Sequence, residues 1–226
     1  MTELLERQLY TVAEAARLLM ISSTKLRRWL EGFTTAGRFY PPVIRPERTG
    51  SDVVTWAEFV EAGFLREYRA KRVSLQHLRP VIDEMRQEFE VQYPLAHLKP
   101  LVDTSKRQLV LSMQQEFDLE DELKLLVRLP GGQLQWAAPM MAFLDKVELD
   151  AEGIAERMRP LGGASPVIID PDVAFGIPQV KGIRTEAIAE SYAEDGSLGR
   201  AARDWQLTVQ DVEAALQWEL ASRKAA

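Results

Sequence analysis

Residues Tyr10 to Leu30 constrain this chain more than any other stretch, because they read as two short helices joined by a tight turn. Thr11 and Glu14 form a capping box, each side chain placed to bond the other's amide. Val12, Ala15, Ala16 and Leu19 follow at helical spacing and define one apolar face. Ile21 fills the turn, and Ser22 caps a second helix that turns Leu26, Trp29 and Leu30 inward. Its other faces carry Ser23, Thr24, Lys25, Arg27 and Arg28. Hydroxyls at the start of a short helix and cations along its outside suit a reader of the DNA major groove, so Ser22, Ser23, Thr24, Lys25, Arg27 and Arg28 are expected to contact DNA. A helical hairpin with a merely solvated basic face is the alternative.

A net charge of −6 would argue against DNA if it were spread evenly. It is not. Residues 1–72 hold 12 Lys+Arg against 9 Asp+Glu, a balance of +3, while the remaining chain holds 16 against 25, a balance of −9. Affinity for nucleic acid follows the local cations that meet phosphates, so the positive head matters more than the total. The absence of cysteine excludes disulfides and Cys-ligated zinc, and fits a reducing cytoplasm. No apolar run is long enough for a membrane span, and the acidic start Met1-Thr-Glu-Leu-Leu-Glu does not look like a secretory leader.

After the two helices, Val43–Pro46 and Val53–Trp56 are β-prone runs separated by a turn-forming segment, Glu47–Asp52. They are expected to form a wing that lays Arg38, Arg45 and Arg48 along a phosphate backbone; a structural hairpin with exposed arginines is the alternative. Thr55 and Glu58 form a second capping box, opening a helix that buries Phe59, Ala62, Gly63 and Leu65. From Ser74 onward, Leu75, Leu78, Ile82, Met85 and Phe89 recur at heptad spacing, which predicts a seam for a homodimer or a face for the chain's own core. Pro80 inside that run predicts a kink or a helix start near that residue. Taken together, Tyr10–Leu19, Ser22–Trp29, the wing and Val73–Gln76 resemble the MerR-type winged helix-turn-helix over about the first 90 residues. Excisionase-like proteins share the first of these segments. Without cysteine, metal sensing of the kind many MerR-type proteins perform is not expected.

Residues 93–164 are expected to hold a small mixed sheet. Gln108–Met113 and Leu123–Leu129 read as two strands or as a strand and a short helix; Gly131-Gly132 is a turn, and Lys146–Arg157 a hairpin with Gly153 at positive φ. The acidic run Glu116–Glu122 lacks calcium-loop spacing, and His77 and His97 have no partner motif. No catalytic constellation, cofactor site or metal site is apparent, so no enzyme is expected.

Residues 165–226 read as a strand at Val167–Ile169, an Asp170-Pro-Asp172 turn, a loop punctuated by Gly176, Pro178 and Gly182, and three helices. The helices are closed or capped by Asp195-Gly196, Ser197, and Thr208 with Asp211. The pattern Ile169-Asp-Pro-Asp, then Phe175-Gly-Ile-Pro-Gln-Val-Lys-Gly-Ile-Arg-Thr185, then Leu207–Leu216, is similar to a domain-of-unknown-function family. That family occurs in antitoxins of bacterial type II toxin–antitoxin pairs of the VapB kind, opposite PIN-like ribonuclease toxins. Phe175 stands where a second glycine is common in it. The resemblance implies a toxin partner, with Phe175, Gly176, Pro178, Gly182 and Arg184 as candidate toxin-binding residues. Glycines that merely shape the loop are the alternative.

The expected architecture is mainly α with small β elements: a winged helix-turn-helix head (1–72), a dimerisation helix (73–92), a mixed α/β middle (93–164) and a C-terminal trihelical domain (165–226). The expected function is an antitoxin that neutralises a ribonuclease toxin and represses its own operon. The alternative is a MerR-type regulator whose C-terminal part senses a small molecule.

Overall fold

The computed structural model describes residues 2–68, 75–98, 104–128, 130 and 133–225. It is mainly helical with small antiparallel ladders, as expected. In the head, α1 (Thr2–Leu5) leads into β1 (Gln8–Thr11), then α2 (Val12–Leu18), α3 (Ser23–Glu31), β2 (Phe33–Thr35), β3 (Arg38–Tyr40), β4 (Val53–Thr55) and α4 (Trp56–Glu67). Then come α5 (Arg79–Phe89), α6 (Thr104–Glu116), β5 (Leu126–Arg128), β6 (Leu134–Trp136), α7 (Ala138–Leu144), β7 (Val147–Leu149) and β8 (Ala155–Met158). The C-terminal part comprises β9 (Gln179–Val180), β10 (Ile183–Arg184), α8 (Thr185–Asp195), α9 (Leu198–Asp204) and α10 (Val209–Ala225).

The caps read from sequence form as hydrogen bonds. Thr11 with Glu14, Thr55 with Glu58, and Thr208 with Asp211 each bond reciprocally, while Ser22 and Ser197 accept from the third residue of their helices. These are local signals, satisfied within four residues.

The centre of the fold is α4. Every residue from Trp56 to Leu65 is buried, and burial on all faces marks a helix packed around rather than against. Trp56 Nε1 donates to the Ala155 carbonyl at 2.7 Å, and Phe64 meets Phe143 edge-on at 5.3 Å. Buried side chains from the head, the middle and the C-terminal helices form one contiguous cluster.

Burial on every face also traps a carboxyl. Glu61 is fully buried; Oε1 accepts from the Leu95 amide at 2.9 Å, and Oε2 has no hydrogen-bond partner among the described residues. Burial pushes its pKa up to about 8 from an ordinary 4.5, against the opposing pull of Arg86 and the Leu95 amide. The folded chain therefore keeps this proton where the unfolded chain has lost it. Stability falls as pH rises from about 4.5 to about 8 and is flat beyond, as far as this group is concerned. Glu61→Gln keeps an acceptor for Leu95 and cannot ionise. It should remove that slope, on the order of 3–5 kcal/mol across the window, as read by urea unfolding at a series of pH values.

Three expectations are corrected. First, the hairpin lies elsewhere. Val53–Thr55 pairs with β1, whereas Val43 and Ile44 are fully buried outside any strand, and both of their amides bond the Trp29 carbonyl. The hairpin is instead β2–β3, with Ala36 and Gly37 at φ 49° and 74°, the left-handed pair that a two-residue turn requires. Pro41, Pro42 and Pro46 lack the amides a strand over 43–46 would need around it.

Second, the heptad face serves the chain's own core. Leu78, Ile82 and Met85 are fully buried, Phe89 nearly so, and Leu75 packs against the same cluster. The helix begins at Arg79 with Pro80 in its first turn, where a proline costs no hydrogen bond. Ser74 lies outside the described residues. Gln76, Arg79 and Arg86 side chains bond the carbonyls of Pro41, Pro42, Val43 and Ile44, so α5 is fastened to the head.

Third, the middle holds separate two-stranded ladders, β5–β6 and β7–β8, in place of one mixed sheet. Gln108–Met113 lies within α6, Leu126–Arg128 is a strand, and Gly131-Gly132 falls outside the described residues. The hairpin with Gly153 at positive φ is present.

Candidate nucleic-acid interface

Helices α2 and α3, with the turn at Leu19–Ser22, form the helix-turn-helix. Val12, Ala15, Ala16, Leu18 and Leu19 of the first helix and turn, and Leu26, Trp29 and Leu30 of the second, are buried. That leaves Ser22, Ser23, Thr24, Arg27 and Arg28 exposed and Lys25 half-buried. The Ser22 hydroxyl is occupied as the cap of α3, accepting from the Lys25 amide at 3.3 Å.

The hairpin stands beside α3 and is joined to it by rings. Phe33 and Tyr40, a cross-strand pair, stack at 4.9 Å with 8° between their planes. The Arg28 guanidinium lies over Phe33 at 5.2 Å and that of Arg38 over Tyr40 at 5.1 Å. Stacking on rings orders two cations without neutralising them. The expected wing at 43–56 passed over the signal for this hairpin, the Ala36-Gly37 turn set between short runs that begin at Phe33 and end at Tyr40.

The expected arginines divide. Arg38 and Arg48 are exposed, Arg48 lying 3.8 Å from Glu31. Arg45 is 2% exposed, so a phosphate cannot reach it there. Its Nε donates to Glu58 at 2.7 Å, Nη1 to Glu31 and to Thr49 Oγ1, and Nη2 to the Val53 carbonyl. Burial works against its charge, but the hydrogen bonds and charges of Glu58 and Glu31 outweigh it and hold its pKa above the ordinary value. Arg45 therefore ties the end of α3 to the start of α4. The run Val43-Ile-Arg-Pro46 carried no signal of this, because Glu31 and Glu58 are remote in sequence.

The C-terminal loop docks on the same head. Arg7 Nη1 donates to the Pro171 carbonyl at 2.9 Å and pairs with Asp172 at 2.5 Å. The Tyr10 hydroxyl donates to the Gly176 carbonyl at 2.7 Å. Burial, then the nearby Glu14 charge, push the Tyr10 pKa up, so the phenol stays a donor. Asp170 Oδ1 accepts from the Asp172 amide at 2.9 Å, the turn expected of Asp-Pro-Asp. Ala174 and Phe175 sit at φ 51° and 58°, a left-handed pair uncommon outside glycine. This conformation holds Phe175 out at 79% exposure. Of the five candidate toxin-binding residues, Phe175, Gly182 and Arg184 are exposed; Gly176 and Pro178 are buried and shape the loop.

Among the described residues, no group of three His, Cys, Asp or Glu side chains is placed to hold a metal ion, and no helix is long and apolar enough to cross a membrane.

This geometry defines a helix-turn-helix protein of the DNA-binding class, and residues 8–82 match the family described as "Putative DNA-binding HTH domain". The chain belongs to the family of "Uncharacterized protein Rv2308" of Mycobacterium tuberculosis, to which it is 31% identical over 96% of its own length and 92% of that protein's. It is also similar to "Putative antitoxin VapB45" of the same organism, 24% identical over 92% of each chain. The crystal structure of Rv2018 from Mycobacterium tuberculosis shares the fold, with a TM-score of 0.73 at 24% identity, covering 92% of this chain and 97% of that one.

Proposed function

We propose that this protein is an antitoxin that recognises its own operator through α3 and the β2–β3 hairpin and holds a PIN-like ribonuclease toxin through its acidic remainder, in the cytoplasm. The observation that carries this reading is the clamp between the two halves: an exposed basic reading helix sits on a head that also grips, through Arg7 and Tyr10, the loop displaying Phe175. The similarity to a protein named as an antitoxin supports the toxin partner. So does the charge: residues 165–226 hold 6 Lys+Arg against 10 Asp+Glu, a balance suited to a basic ribonuclease.

Co-expression with the product of the adjacent open reading frame tests the toxin half. A stable complex without ribonuclease activity is expected, and the absence of any complex would overturn it. For the DNA half, Lys25→Ala with Arg28→Ala should weaken binding to all duplexes and reduce the salt slope by about 2, about 1 for each phosphate left without its cation. Unchanged affinity in a titration at several salt concentrations would remove α3 as the reader.

One observation favours the second reading, a regulator that senses a small molecule. A cleft of about 330 Å³ is lined by Leu5, Tyr93 and Ile154 together with three acidic residues, Glu6, Glu90 and Glu152, and one histidine, His97. The Tyr93 hydroxyl reaches Glu58 at 3.4 Å, and Glu58 bonds Arg45, so the cleft wall is linked to the end of α3. A cationic amphipathic ligand suits that lining.

A further inference from the structure

We propose that Arg27 reads a guanine in the major groove and that Asp52 is its positioning residue, a proposal that rests on α3 being the DNA reader. Arg27 Nη1 lies 2.5 Å from Asp52 Oδ1, a carboxylate from outside its helix. Arg27 is one turn beyond Ser23 and Thr24, so the three share the face that the start of a recognition helix turns to base edges.

Asp52 is itself held in place. Its carbonyl accepts the Val12 amide at 2.9 Å, and the next residue, Val53, pairs with Thr11 in the β1–β4 ladder. The backbone that carries the carboxylate is thus fixed to the start of α2 and to the strand beneath it. Both partners are exposed, 52% and 69% of their side chains, and an ion pair so hydrated adds little to folding.

A carboxylate beside the reading helix repels phosphate and lowers affinity for every duplex alike. Its specific effect is on direction. Arginine has five donors in a rigid fork, and binding one edge to Asp52 leaves the others to face guanine O6 and N7. A guanidinium held beforehand also loses less side-chain freedom on binding.

The test uses the full chain and a pool of randomised duplexes, from which sites bound by the unmutated protein are selected. Arg27→Ala is expected to abolish preference at one G·C pair, a loss of roughly 5- to 150-fold in selectivity there. Asp52→Asn is expected to act in two directions. Selectivity at that same pair falls by roughly 5-fold or more, while affinity for unselected duplex rises as the negative charge is removed. The melting temperature stays within a degree or so, as for an exposed pair.

An unchanged motif with Arg27→Ala would overturn the assignment of Arg27. Equal gains by Asp52→Asn on selected and unselected duplexes would make Asp52 a mask, and a clear drop in melting temperature would make it a structural tie. Either would overturn its positioning role. If the unmutated protein enriches no duplex, the DNA-reading proposal falls as well. If Arg28→Ala weakens binding uniformly while the Arg27→Ala motif is intact, α3 remains the reader and only the roles of Arg27 and Asp52 fall.

Discussion

Replacing Arg45 with alanine is expected to cost about 3–5 kcal/mol of folding stability, the largest single effect of any charged residue in the head. The substitution removes the only side chain that meets both Glu31 and Glu58 among the described hydrogen bonds, and it leaves two buried carboxylates facing each other. Breaking a buried ion pair from one side is far more damaging than deleting the pair. Glu31 keeps only the Thr49 hydroxyl and the Gly50 amide, with Arg48 at 3.8 Å, and Glu58 only the Thr55 amide and the Tyr93 hydroxyl, which do not replace a buried guanidinium. In a chain of this length the melting temperature should fall by roughly 6–20 °C. Thermal and urea unfolding measure this directly. A phosphate-contacting arginine would behave in the opposite way, leaving stability intact and lowering the salt dependence of DNA binding; that result would return Arg45 to the interface.

Replacing Gly176 with alanine should be the most disruptive change in the C-terminal loop, at about 2–4 kcal/mol. Two independent penalties meet there. The residue has φ +71°, which disfavours a side chain, and a methyl group would overlap the Tyr10 hydroxyl and ring. Relief requires the loop to leave the head, which breaks the Tyr10 hydrogen bond and moves Phe175. Tyr10→Phe removes only the hydrogen bond and should cost about 1 kcal/mol. The decisive comparison is of the two variants by melting temperature and by capture of the adjacent-gene product. Gly176→Ala should lower both sharply and Tyr10→Phe only slightly; equal behaviour of the two would mean the loop tolerates the methyl group.

Much of the head was legible in residue order because its signals are short-range. Thr11 with Glu14, Ser22 with Lys25, and Thr55 with Glu58 are contacts across three positions, and helical spacing of Val12, Ala15, Ala16, Leu26 and Trp29 is enough to say which faces turn inward. The same holds for Thr208 with Asp211 and for the Asp170 turn. The misplaced hairpin shows where such reasoning ends. Val53–Thr55 looks equally strand-like beside Val43–Pro46 or beside Gln8–Thr11, and only the assembled head decides the partner. The heptad run on α5 was ambiguous for a related reason: a stripe of Leu78, Ile82 and Met85 demands burial without naming what buries it.

Sequence alone determined the capped helices of the head and of the C-terminal part, the helix-turn-helix and the division into a positive head and an acidic remainder, all of which depend on residues a few positions apart or on simple totals. The helices of the middle, α6 and α7, were not among them. Tertiary structure decided the rest. It buried Arg45 between carboxylates 13 and 14 positions away, joined Asp52 to Arg27 across 25, and brought Tyr10 to Gly176 across 166. Such pairings follow from the way the elements close around α4. A side chain's charge is written in the sequence, but whether it meets water, phosphate or a buried partner is set by the packing of segments remote from it.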